Sequence, residues 1–75
     1  MTPREATTGA AMRLSRVTGD RRHRRRLVEL GFVPGADVSV IARGVNGGLI
    51  LALGDARVAV DAGTAATLLV EPSHD

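Results

Sequence analysis

Apolar and polar positions alternate along most of this chain. In Ala10–Val17, Met12 and Leu14 fall on one side and Arg13 and Ser15 on the other. That period of two predicts a half-buried strand. Ala36–Ala42 repeats the pattern, with Val38 and Val40 flanking Ser39. Leu49–Leu53 is a continuous apolar run of strand length, Arg57–Val60 places Val58 and Val60 together, and Leu68–Glu71 reads as a last short strand. One stretch follows a helical period instead. Arg21–Leu30 carries a polar half followed by Leu27, Val28 and Leu30, the spacing of a helix of about three turns. Asp20 stands before it, where a side-chain oxygen accepts from a free backbone N–H. Gly31 stands just after it, where a residue of positive φ ends a helix.

The connections agree with this reading. Thr18-Gly19-Asp20 leads into the helix, and Pro34-Gly35 turns the chain out of it. Asn46-Gly47 is a hairpin signal, and Gly54-Asp55 suits a two-residue type I′ or II′ turn, so residues 36–60 form a three-stranded antiparallel meander. Asp61–Ala66 is too short for more than a single helical or 3₁₀ turn.

The predicted fold is mainly β with one α-helix, a small SH3-like barrel of about five strands over residues 9–71. The physical reason is edge management: a small sheet with one apolar face must curl on itself and be plugged by the helix. Residues 1–8 are expected as a flexible N-terminal tail and 72–75 as a flexible C-terminal one. The expected core is Leu14, Leu27, Leu30, Val38, Val40, Leu51, Val58, Val60 and Leu69.

Composition narrows the function. With 75 residues the chain is one domain, and with no cysteine it has no disulfide staple and no thiolate metal site. No signal-peptide pattern is visible, and no apolar run approaches the ~20 residues that span a bilayer. The formal charge of +2 is unevenly spread. Asp20–Leu30 holds five Arg against Asp20 and Glu29, which is +3, and the remainder holds five Arg against six acids, which is −1. Arg21, Arg22 and Arg24 lie at the positive end of the helix dipole, where each exposed cation is unfavourable by roughly 0.3–1 kcal/mol. Arg21/Arg25 and Arg22/Arg26 are like pairs at i,i+4, and only Arg25/Glu29 is an opposite one. Local stability did not place these charges. Either they are a solvated face, or Arg21, Arg22, Arg24 and Arg25 meet an anionic partner, with Arg26 packing its stem on the barrel and bonding backbone carbonyls.

Catalytic chemistry finds little support. Ser15, Ser39 and Ser73 have no matching His and Asp constellation, and Asp20, Asp37, Asp55 and Asp61 sit where turns and caps need them. His23 and His74 are the only histidines, and five arginines beside His23 oppose a cation. Gly44, Gly47 and Gly48 belong to a hairpin and not to a P-loop pattern. Phe32 is the only aromatic, so a polyproline groove cannot be built. Nucleic acid is the rival partner: the arginines can neutralise phosphates, but no stacking aromatics accompany them.

Arg26-Leu27, Leu30-Gly31-Phe32 and Pro34-Gly35 together resemble the RL..LG[LFM].PG signature of the FeoA family, ferrous iron transport protein A. The resemblance continues through Gly47-Gly48, the Gly-Asp turn before Arg57-Val58-Ala59-Val60, and Ala65-Ala66 leading to Leu69-Val70, covering about residues 9–71. It implies an SH3-like domain in the cytoplasm with no enzymatic activity and no cofactor. The implied partner is the cytosolic part of FeoB, a membrane Fe(II) transporter with a GTP-hydrolysing domain, which would hold the chain at the inner face of the membrane. The motif residues implied as structural are Asp20, Arg26, Leu27, Leu30, Gly31, Phe32, Pro34 and Gly35. The alternatives are a small arginine-rich barrel binding nucleic acid and a self-associating interaction domain.

Overall fold

Five strands and two helices follow one another in the computed structural model, which describes residues 1–73. They are β1 (Met12–Val17), α1 (Arg21–Glu29), β2 (Asp37–Arg43), β3 (Leu49–Leu53), β4 (Ala56–Val60), α2 (Ala62–Ala65) and β5 (Leu68–Pro72). All pairings are antiparallel, in the order β4-β3-β2-β1-β5. The sheet is bent by register shifts between Leu14 and Arg16 in β1 and between Val40 and Ala42 in β2. An extra residue at such a place increases local twist and curls the strand.

Alternation decides what faces inward. Met12 and Leu14 of β1, Val38 and Val40 of β2, Leu49, Leu51 and Leu53 of β3 and Val60 of β4 are buried, while Arg13, Ile50 and Ala59 are exposed. In β5 the inward pair is Leu68 and Val70, with Leu69 between them half-buried. This corrects the expected core by one residue: Leu14 faces Val70 across the β1–β5 ladder, and a slip of one position reverses every side chain. Val58 is half-buried on the outermost strand, β4.

Leu30 is the second correction. It is 52% exposed, whereas Leu27 is 4% and Phe32 0% exposed. The helix ends at Glu29, and the chain reverses through Gly31 at φ 107°. Gly31 N–H donates to Val28 C=O (2.9 Å) and Phe32 N–H to Leu27 C=O (3.0 Å). These two bonds define a Schellman motif, in which the residue after the glycine contacts the residue five positions earlier. Here that pair is Phe32 and Leu27, and both belong to the core cluster. Phe32, the only aromatic residue of the chain, therefore takes the place expected of Leu30. The following turn returns to β1, with Gly35 N–H donating to Leu14 C=O (2.8 Å) and Leu14 N–H to Ala36 C=O (2.9 Å).

The first eight residues are packed and not a detached tail. Pro3–Glu5 form a 3₁₀ turn, and Pro3 and Ala6 are buried. Met1 pairs with the outer side of β5: Val70 N–H donates to Met1 C=O (2.8 Å), and the Met1 amine donates to Val70 C=O (3.2 Å). The Arg43 guanidinium donates to the carbonyls of Arg4 (3.0 Å) and Ala6, and Gly9 N–H donates to Val40 C=O (2.9 Å). An apolar proline and alanine in a polar stretch gave no period to read, and the guanidinium that holds them is distant in sequence. At the other end Pro72 belongs to β5, Ser73 N–H donates to Ala11 C=O (3.0 Å), and positions 74–75 lie outside the described residues.

Candidate functional site

The site is the outer face of α1. Asp20 starts it: its carboxylate accepts from His23 N–H (2.8 Å) and its carbonyl from Arg24 N–H (3.0 Å), with extended backbone at φ −71°, ψ 168°. That is the N-cap geometry. At 100° per residue, Leu27 at the buried pole leaves Arg21, Arg22, Arg25 and Arg26 outward and His23 and Arg24 on the flanks. All five arginines are exposed and His23 is half-buried.

His23 fixes the orientation of this face. Its Nε2 lies 2.9 Å from Thr67 Oγ1, whose own proton is given to Thr64 C=O (2.7 Å). Thr67 Oγ1 is therefore the acceptor, and the imidazole carries its proton on Nε2. Thr67 C=O in turn accepts from Thr18 N–H (2.8 Å) and Thr18 Oγ1 (3.0 Å). The first turn of α1 is thus tied to the junction between α2 and β5. That junction has its own cap: Asp61 accepts from Thr64 N–H (2.7 Å) and is held below the usual carboxylate range, chiefly by Thr64's hydrogen bond and less by His23 nearby.

The arginines are not internally neutralised. Among the described residues the ion pair is Arg13–Asp37 at 3.9 Å, away from α1. Arg25 and Glu29, opposite in sign at i,i+4, do not come within ion-pair distance. Arg26 is exposed, and the guanidinium that bonds backbone carbonyls is Arg43. Asp20, Arg22, His23 and Arg26 border an open, shallow depression. At and beyond the last turn of the helix, Val28, Leu30 and Val33 are 41–52% exposed. The arrangement is a rigid helix presenting five guanidinium groups, each with five donors in a planar fork suited to carboxylate or phosphate oxygens. It offers no enclosed cleft.

The sequence-derived residues divide cleanly. Asp20, Leu27, Gly31, Phe32, Pro34 and Gly35 build the start and end of the helix and its return to β1, while Arg21, Arg22, Arg24, Arg25 and Arg26 line the outside. Leu30 joins the exposed apolar end. His23's bond to Thr67 was not legible, because the partners lie 44 residues apart. No described helix is long and apolar enough to cross a membrane.

Comparison with known proteins places this geometry. No curated protein matches the sequence. A crystal structure of an iron uptake regulatory protein, FeoA, is 27% identical over 93% of both chains, with a TM-score of 0.83. A zinc complex of Stenotrophomonas maltophilia FeoA, described as an SH3 domain protein and candidate ferrous iron transport activating factor, is 32% identical. It covers 95% of this chain and 89% of its own, with a TM-score of 0.79. A manganese-dependent transcriptional repressor is 18% identical and shares the fold alone, this chain spanning 41% of it at a TM-score of 0.85. The FeoA domain model matches residues 1–72, and with its SH3-like five-stranded sheet and the helix-ending Leu-Gly-Phe the chain belongs to the FeoA domain family.

Proposed function

We propose that this chain is a non-enzymatic accessory factor of ferrous iron transport that docks, through the outer face of α1, on the cytosolic part of an FeoB-type membrane transporter. Family membership supports the transport role. The observation that carries the docking face is the set of exposed arginines without a carboxylate partner among the described residues. Buried or internally paired arginines would be spent on the fold; these are held outward by a capped helix locked at His23 and Leu27. Guanidinium groups on an exposed face act mainly on encounter rate and orientation. The expected counterpart is therefore acidic protein surface, and any GTP chemistry belongs to the transporter.

The test is binding to the purified cytosolic part of the transporter. Arg22→Glu with Arg25→Glu reverses two outward charges without touching Leu27, His23 or the cap. Binding should fall at least tenfold, mostly through the association rate, while the thermal midpoint moves by no more than a few degrees. Unchanged binding would reduce the arginines to a solvated surface.

A further inference from the structure

The two outer strands of the sheet are treated differently. On the free side of β5, Met1 pairs with Val70 through hydrogen bonds in both directions. The free side of β4 has no strand against it among the described residues. β4 is Ala56-Arg57-Val58-Ala59-Val60. It contains no proline and no register shift along its pairing with β3, two of the devices by which edge strands avoid pairing with another chain, and its one charged side chain is Arg57. Beside it on the outer face, Ala59 lies against Ile50, which is 42% exposed, and Ile50 against Ala42 in β2. Ile41, displaced by the register shift in β2, is 37% exposed.

We propose that the open side of β4 is an interface with a second copy of this chain, pairing β4 antiparallel to β4 about a twofold axis through Val58. The backbone sets the register. Gly54 and Asp55 form a two-residue turn between Leu53 and Ala56, with positive φ at Gly54 (58°) and not at Asp55. In such a hairpin the pair flanking the turn is hydrogen-bonded, and the bonded pairs then alternate. Ala56, Val58 and Val60 therefore face β3, and the N–H and C=O groups of Arg57 and Ala59 point outward. About an axis at Val58, Arg57 of one copy faces Ala59 of the other, and each such pair exchanges two hydrogen bonds, four in all.

Charge agrees with that register. The exposed Arg57 side chains do not oppose each other; each lies across the small Ala59 of the other copy. On the inner face the two half-buried Val58 side chains meet on the axis, in the non-hydrogen-bonded pair where side chains are closest. A strand of five residues is far below the ~20–30 residues per side of a standard stable interface. The dimer is accordingly weak, with a dissociation constant in the micromolar range or above. This interface does not use α1 and is independent of the docking proposal.

The experiment is sedimentation velocity of the full chain from a few micromolar to several hundred micromolar, with three variants at Ala59. The unmodified chain should shift from monomer to dimer across this range. Ala59→Pro removes an outward N–H that β3 does not use and should leave monomer throughout. Ala59→Lys sets a cation against Arg57 of the other copy, twice by symmetry, and should weaken dimerisation. Ala59→Glu sets a carboxylate there and should strengthen it. Two opposite-charge cross-strand pairs correspond to about 2- to 30-fold in the dissociation constant. Circular dichroism confirms that each variant is folded; should the proline variant unfold, the Lys and Glu variants still decide. A monomer at every concentration overturns the proposal. So does a dimer whose strength is the same in the Lys and Glu variants, because that dimer would use another surface.

Discussion

Leu27 and Leu30 lie three positions apart at the end of one helix, yet the structure gives them opposite fates. Leu27 is 4% exposed beneath α1, and Leu30 is 52% exposed beyond its end. Leucine exceeds alanine by three carbon groups, worth about 2.4 kcal/mol when fully buried at ~0.8 kcal/mol each. At Leu27 nearly all of that is lost, and the core cluster with Phe32 leaves a cavity that adds to it. Leu27→Ala should therefore destabilise by about 3–4 kcal/mol, within the range for buried leucines. At Leu30 only about half the transfer value applies, and water fills the space, so Leu30→Ala should cost about 1 kcal/mol or less. A chain of 75 residues has a total stability of about 4–11 kcal/mol. The first change thus removes a large share of it and the second a small one. With no Trp or Tyr the assay is urea unfolding followed by far-ultraviolet circular dichroism, comparing midpoints at a common slope. Equal costs at the two positions would refute the orientation assigned to α1 and the Schellman ending with Phe32 as its anchor.

Two further perturbations test the local physics. Gly31→Ala should destabilise by about 2 kcal/mol or more, since φ is 107° and the new Cβ would lie 3.3 Å from Leu53 Cδ2. Gly54→Ala, at φ 58° with nothing within 4 Å, should cost only about 1 kcal/mol, so a larger loss at Gly54 in the same urea assay would contradict this ranking. Because the Thr64 hydrogen bond holds the Asp61 carboxyl below its usual range, its stabilising contribution is complete above the unfolded value, near pH ~4, and is lost as pH falls through the lowered folded value. Asp61→Asn keeps an acceptor for Thr64 N–H without the charge. Its stability should decline less steeply in acid, and an acid limb identical to that of the parent chain would remove Asp61 from the explanation.

Much of this architecture is legible in the sequence because its signals are local. Asp20 and Gly31 bracket α1, Gly-Asp marks the β3–β4 turn, and alternation around Ser39 sets the inward face of β2. Where the reading failed, a non-local fact decided. Leu30 has the right spacing for the helical stripe, but the chain leaves the helix there and Phe32 enters the core instead. Leu69 sits in a three-residue apolar run whose phase is set only by pairing with β1. The packing of Met1–Thr8 depends on Val70 and Arg43, which no local pattern announces. For the candidate site the sequence supplied the charges and the cap, and the structure added that the charges are outward and that His23 is tied to Thr67.

The central claim is that the basic face of a FeoA-family domain docks on a ferrous iron transporter. The most direct measurement is a pull-down from membranes of the source cell, at moderate salt, with the intact chain as bait and the Arg22→Glu, Arg25→Glu variant beside it. Recovery of a large membrane protein with a GTP-hydrolysing domain by the parent chain, and its loss with the variant, is the predicted result. Recovery of nucleic acid in its place, released at high salt, would contradict the account and leave the family membership as a statement about fold.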